Sequence, residues 1–327
     1  MKYFRKQLGV ALITVMLILS LATITAVSMV SKQNIDIHRS ANILNFDQAI
    51  EVTSYLEGYA KKGLKIHFDD FNRTTTSSKD LEIWNESVSI GISFDEIKGT
   101  GNGIIEDLQG RFNLNSLVDG SGTVVSLQRT RLVTLITNLN DDENLNLSVN
   151  FVDALIDWID PNQTVTGING AEDNVYSSFS PPYTTANQYM LDISELLLVN
   201  GIDYEQYMIL KNYVSVLNSS AGMNINTASE QVLRSLDSRI TKTDAADLYN
   251  TARAANNGKG FSTTSAFVKD PIIDSLNISV DALDASSNNF DVRSEVRRND
   301  TILLYTSRIL RSTDGTIDVI KRSRSLL

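Results

Sequence analysis

Between Arg131 and Lys211 the 327-residue chain carries no lysine or arginine, yet it places twelve acids there: Asp141, Asp142, Glu143, Asp153, Asp157, Asp160, Glu172, Asp173, Asp192, Glu195, Asp203 and Glu205. The whole chain has a net charge of −10, so this stretch accounts for all of it. Carboxylates crowded without counter-charge repel one another, and gathering them is unfavourable unless a cation offsets them. Asp157-Trp-Ile-Asp160-Pro-Asn162-Gln-Thr164 sets oxygen ligands at a helix end and in the loop after it, and Gly170-Ala-Glu172-Asp173 returns two more carboxylates. Hard oxygens at this density suit Ca²⁺, which takes roughly six to eight of them. Asp157, Asp160, Asn162, Thr164, Glu172 and Asp173 are therefore the candidate calcium ligands, with a solvated acidic face as the rival reading. The spacing does not match an EF-hand loop.

Other chemistry is poorly supplied. The chain has no cysteine and only His38 and His67, which excludes thiolate nucleophiles, disulfides, iron–sulfur clusters and multi-histidine metal centres. It contains no GxSxG, HExxH or phosphate-loop motif. Acids are abundant enough for a glycosidase pair, but nothing marks one pair, and 7% aromatics provides few sugar-stacking surfaces. No enzymatic activity is expected. Asn224-Ile-Asn226-Thr227-Ala228, with Val232, Leu233 and Leu236, resembles a helix-hairpin-helix module, which can hold phosphates at a helix N-terminus. Its surroundings are close to neutral on an acidic chain, so nucleic acid is not the expected partner and a capped, packing helix pair is the better reading.

The N-terminus sets the compartment. Lys2, Arg5 and Lys6 precede an uncharged run that lasts until Lys32, and its apolar core, residues 10–30, reaches about 30 Å as a helix. The basic flank stays cytoplasmic and the remainder is exported. A cleavable secretory signal and a plain anchor are both compatible with this run. Lys6-Gln-Leu-Gly9 directly before it resembles the class III, prepilin-like signal, which a peptidase cuts after the glycine, leaving Val10 as the new first residue. Apolar residues continue at Ile35, Leu44, Phe46, Ile50, Tyr55, Leu56 and Tyr59 at three- and four-residue steps, so one long spine helix is expected. Phe46, Ile50, Leu56 and Tyr59 are its candidate partner contacts. Counted from Val10, position five is Thr14, where most pilins carry the glutamate that offsets the amine of the subunit ahead. A neutral residue there implies no subunit ahead, hence a fibre tip.

Residues 84–94 alternate apolar side chains as a strand does, Gly99, Gly101 and Gly103 read as a turn, and residues 104–114 as a further short strand. Three closing strands are expected at 290–298, 301–312 and 316–324, the last two joined at Asp314-Gly315. The middle reads as helical, over 128–139, 148–159, 192–199 and 243–256, with a capping box at Thr227-Ala-Ser-Glu230 and all four prolines in loops. The fold class is therefore α+β: a leader (1–9), a membrane-spanning part of the spine (10–30), a pilin-like first part (31–114), an inserted all-α domain (115–288) and C-terminal strands (289–327).

Gly9-Val-Ala-Leu-Ile13, Gly110-Arg-Phe-Asn-Leu-Asn115, Asp157-Trp-Ile-Asp160, Gly170-Ala-Glu-Asp173, Pro182-Tyr183 with Ala186-Asn187, Ser194-Glu195-Leu196 and Asn224-Ile-Asn-Thr-Ala228 fall in one order. Together they resemble the K-type minor pseudopilins of type II secretion, over nearly the whole chain. The resemblance implies cleavage after Gly9 by a prepilin peptidase, methylation at Val10, and a single-pass inner-membrane protein with a periplasmic globular part. It implies I-, J- and H-type minor pseudopilins as partners, a place at the pseudopilus tip, and calcium in the α-domain. Asn162 stands where many members have aspartate, which removes one negative charge from the loop. A type IV pilus tip subunit and an exported helix-hairpin-helix DNA-binding protein are the alternatives.

Overall fold

The computed structural model describes residues 8–72, 88–94, 99–258, 260–298 and 301–326. Leu8–Asn72 form one helix of 65 residues, α1, about 100 Å long. Its most apolar window has a mean hydropathy of 2.3 and is wholly exposed, long and apolar enough to cross a membrane. Further along, Ala49, Val52, Leu56, Ala60 and Leu64 are buried at three- and four-residue steps. That stripe packs α1 on a sheet of β1 (Val88–Phe94), β2 (Gly99–Asp107), β7 (Asn289–Arg298), β8 (Thr301–Arg311) and β9 (Ile317–Leu326). The five strands lie in that order and every neighbouring pair is antiparallel. The β8–β9 hairpin turns at Gly315, whose φ of +81° suits a residue without Cβ.

Gly99, Gly101 and Gly103 do not form the turn expected of them; they belong to β2. At Gly101 the reason is the close approach of α1: a Cβ there would lie 2.8 Å from Val52 Cγ1 and 3.3 Å from Leu56 Cδ1. Glycine here serves helix-on-sheet packing rather than chain reversal. Gly101→Leu is expected to destabilise the head by about 1–3 kcal/mol through overpacking, read as a lower denaturant midpoint at unchanged slope.

A charged contact fixes the register of helix on sheet. Glu57 of α1, largely buried, accepts from Ser307 Oγ (2.7 Å) and from Arg322 Nε and Nη2 (both 2.9 Å), and pairs with Lys61 at 3.2 Å. Burial pushes its carboxyl up, but hydrogen bonds from Arg322, Ser307 and Lys61 outweigh that and hold it at about 2, below its ordinary 4.5. A depressed carboxylate contributes stability that is full above pH 4.5 and lost as pH falls through about 2. Glu57→Gln should lower Tm by about 5 °C at pH 7, and the gap to wild type should close as a pH series approaches 2.

Between β2 and β7 the chain builds a helical body with its own core, running from Phe112 to Leu283 and separate from the two small clusters under the sheet. In chain order its elements are β3 (Phe112–Asn113), α2 (Ser126–Glu143), α3 (Phe151–Ile159), α4 (Asp173–Tyr176), α5 (Tyr204–Leu210), β4 (Val214–Ser215), β5 (Met223–Asn224), α6 (Glu230–Arg234), α7 (Lys242–Gly258), α8 (Thr264–Phe267), α9 (Pro271–Leu276) and β6 (Leu283–Asp284). Every residue of α3 is buried. Residues 193–198 form a 3₁₀ helix opened by a capping box between Asp192 and Glu195. Pro271 is not in a loop but at the first turn of α9, where its missing N–H is harmless.

The capping box expected at Thr227 does not form. Ser229 caps α6 instead, because the Thr227 hydroxyl donates to Asp107 Oδ2 at 2.6 Å. Asp107, at the end of β2, also accepts from Ser287 Oγ (2.6 Å) and from the Gln109 N–H (2.8 Å). Gln109 continues the junction, donating to the Gly222 carbonyl and accepting from the N–H groups of Asn288 and Asn289. Burial pushes the Asp107 carboxyl up while Ser287, Thr227 and Gln109 pull it back. This buried knot ties the sheet to the helical body where the chain leaves the sheet and where it returns.

Candidate metal centre

The structure sorts the twelve acids of the cation-free stretch. Cations from outside it pair with several: Arg129 with Asp153 (2.6 Å), Arg234 and Lys242 with Asp142 (3.2 Å each), and Lys321 with Asp192. Asp203 and Glu195 are spent on helix caps. Asp157, Asp160 and Glu172 are different. They are 0%, 1% and 2% exposed, and among the described residues none has an ion-pair partner.

Their positions follow from local structure. Asp157 lies in the last turn of α3, and Asp160 ends that helix in an extended conformation. Asp157 Oδ1 accepts from the Thr166 N–H (2.9 Å), and Asp160 Oδ1 from the Asn162 N–H (3.1 Å). Asn162 Oδ1 in turn accepts from Thr164 N–H at 2.7 Å, so the 160–164 segment is folded by its own side chains. The loop then returns over α3 so tightly that a Cβ on Gly170 would strike Asp157 Oδ2 and the Thr166 carbonyl. Glu172 follows as the residue capping α4, but its side chain makes no cap bond.

Three oxygens in this pocket are orphaned: Asp157 Oδ2 and both carboxylate oxygens of Glu172 are buried without a hydrogen-bond partner. Burial first, then repulsion from Asp157, Asp160 and Asp173, pushes Glu172 up to about 7. Burial also raises Asp157 and Asp160. Asp173 behaves oppositely: Thr185 donates to its Oδ1 from both hydroxyl (2.7 Å) and backbone (2.9 Å), and its carboxyl is lowered. The structure thus brings Asp157, Asp160 and Glu172 into one buried neighbourhood, with Asp173 at its edge and Asn162 and Thr164 exposed on the covering loop. Among the described residues, no three carboxylates or histidines are gathered tightly enough to hold an ion as they stand. The donor chemistry still fits a hard cation, since buried orphan carboxylate oxygens are otherwise unfavourable.

Asn187, which was not among the residues expected at this site, reaches the same helix end. Its N–H donates to the Trp158 carbonyl at 3.1 Å, its φ is +47°, and its buried Oδ1 has no partner. Trp158, Tyr176, Phe179 and Tyr183 form an edge-to-face aromatic wall beside the acids.

The asparagines of the 110–115 and 224–228 segments act as clamps on neighbouring segments. Asn115 bonds Met190 and Leu217, and Asn113 bonds Asn218 and Leu217. Asn226 bonds Phe261 and Ala285, while Asn224 bonds Ser287. These asparagines are buried and occupied.

On the spine, Gly9 and Val10 lie in the first turn of α1, and residues 1–7 of the expected leader lie outside the described residues. Thr14 Oγ1 bonds back to the Ala11 carbonyl at 2.9 Å. Leu56 is fully buried against Val296 and Leu303 and so serves its own sheet rather than a partner; Phe46 and Ile50 are half-buried beside it. Tyr59 is 57% exposed. The stripe that packs uses alanines at 49 and 60, which a reading weighted to large side chains overlooks.

The family model described as type II secretion system (T2SS), protein K, matches residues 110–219. The type II secretion system protein K of Pseudomonas aeruginosa is 30% identical over 321 residues, covering 97% of this chain and 93% of that protein. The chain belongs to the type II secretion system protein K family. The protein K of Aeromonas hydrophila is likewise 30% identical, over 97% of both chains. A chain in the crystal structure of the GspK-GspI-GspJ complex from the enterotoxigenic Escherichia coli type 2 secretion system shares the fold, with a TM-score of 0.68 at 24% identity over 88% of this chain and 99% of that one. As a protein K, the chain is a minor pseudopilin of type II secretion. The family is a structural secretion component rather than a known enzyme family.

Proposed function

We propose that this minor pseudopilin stands at the tip of the pseudopilus with I- and J-type partners, starting the fibre and closing its upper end. The observation that carries this reading is the helical body: a large domain inserted between β2 and β7 of a small pilin-like sheet, tied to it by the Asp107 knot. A body of that size on one subunit would block the next subunit from stacking above it. Two observations support the reading. Among the described residues Thr14 bonds its own helix, and it offers no carboxylate to a subunit ahead. A structure of like fold comes from a complex of K, I and J proteins. The H-type subunit joins beneath them.

On this reading α1 is cut after Gly9 by the prepilin peptidase, methylated at Val10, and held in the inner membrane as a single span with the globular part in the periplasm. Asp157, Asp160 and Glu172 hold a calcium ion, with Asp173, Asn162 and Thr164 completing the shell from the loop. The ion would supply the counter-charge that these buried carboxylates lack, locking the 160–173 loop onto α3. The buried occupation of Asn224 and Asn226 supports a packing role for that segment rather than binding of nucleic acid, and no catalytic role is assigned to the chain.

Co-expression with the I- and J-type subunits and the peptidase tests this directly. A stoichiometric three-protein complex is expected, with mass spectrometry giving a mature chain that begins at methylated Val10. Recovery of the K-type chain alone, or with Met1–Gly9 still attached, would contradict it.

A further inference from the structure

On the sheet face away from α1, a cleft of about 760 Å³ opens between β7–β9 and the helical body. Its floor is two in-register rungs: Asp291, Arg308 and Lys321, then Arg293, Thr306 and Ser323. Arg111 and Lys211 line the opposite wall. Five cations therefore face one cleft of a chain whose net charge is −10. Three carboxylates offset them in part: Glu106 pairs with Arg111 and Arg293, Asp291 with Arg308, and Asp192 with Lys321. Lys211 lies over the Tyr207 ring and near Met208 Sδ, and is in no ion pair among the described residues.

A second observation points to an occupant. Ser215, on β4 in the same wall, is 3% exposed, and its Oγ is buried without a hydrogen-bond partner. A buried hydroxyl left unpaired is unfavourable unless something enters to bond it. We infer that this cleft is a docking site for an acidic, extended peptide segment of a partner protein, whose carboxylates meet Lys211 and Arg293 and whose polar backbone meets Ser215. Three strands at about 4.8 Å spacing give a floor roughly 10 Å across, which fits about three extended residues. The local excess of positive charge in an otherwise acidic protein gives such a segment its complementarity and steers its approach.

The test uses the full chain in detergent and a fluorescein-labelled Gly-Glu-Glu-Glu-Gly peptide, followed by fluorescence anisotropy. Saturable binding is expected that weakens with salt and is absent for the Gly-Gln-Gln-Gln-Gly analogue. Lys211→Glu should weaken binding by about tenfold or more, and Arg293→Ser should weaken it less. Arg239→Ser, at an exposed cation paired with Asp237 outside the cleft, should leave it unchanged. Equal binding of the two peptides, or Lys211→Glu binding as wild type does, would overturn the inference. Ser215→Val keeps the charges and removes only the hydroxyl, and undiminished binding there would also count against the site as drawn.

Discussion

Saturating calcium should raise the Tm of the purified chain by about 5–10 °C, and a chelator should remove the gain. The size follows from linkage: an ion at about 100 times its Kd stabilises the state that binds it by about 2.7 kcal/mol, and a domain of this size shifts by about 2–4 °C per kcal/mol. The physical source is the repulsion among Asp157, Asp160, Glu172 and Asp173, which with burial lifts Glu172 to about 7. Substitutions separate this account from a merely acidic surface. Glu172→Gln removes a buried charge, so without calcium the variant should melt at or above wild type, yet gain nothing when calcium is added. A solvated acidic face predicts instead no calcium response in wild type and no effect of the substitution. Differential scanning fluorimetry of both proteins, with and without calcium, reads all four values.

Removing the carboxylate at the junction should have the next largest effect. Asp107→Ala strands the Thr227 and Ser287 hydroxyls and the Gln109 N–H in a buried position, and it takes a counter-charge away from Arg311. An expected loss of about 3–5 kcal/mol follows from breaking a buried charged network on one side only. Asp107→Asn keeps one carbonyl acceptor and should lose less. Because the knot joins two bodies, chemical denaturation is expected to split: the alanine variant should unfold in two steps where wild type unfolds in one. A single unshifted transition would mean that the sheet and the helical body are coupled elsewhere.

How much of this was legible beforehand depended on whether a pattern was local. The spine, the alternating strand at Val88, Ile90, Ile92 and Phe94, and the turn at Asp314-Gly315 are written in short-range periodicity and turn chemistry, and the structure has them. Gly101 misled because glycine signals both a turn and a close approach, and only the position of Val52 on α1 decides between them. Thr227 misled because its partner, Asp107, is distant in sequence.

The acidic stretch was visible as a charge deficit, but sequence could not say which of the twelve acids draw cations from elsewhere. Arg129, Arg234, Lys242 and Lys321 all lie outside it. Folding leaves Asp157, Asp160 and Glu172 as the buried, cation-free remainder. Asn187 stayed hidden because its approach to Trp158 is a tertiary contact. The same holds for the cationic cleft, whose members come from strands and helices spread along the chain.

On the proposed function, the helical body on this pilin-like sheet occupies the end of the fibre. Immunogold labelling of assembled pseudopili with an antibody to the helical body tests it most directly. One end, and one end only, of each fibre should carry gold. Gold spaced along the fibre length would contradict the account, because a subunit with others stacked above it cannot be the cap.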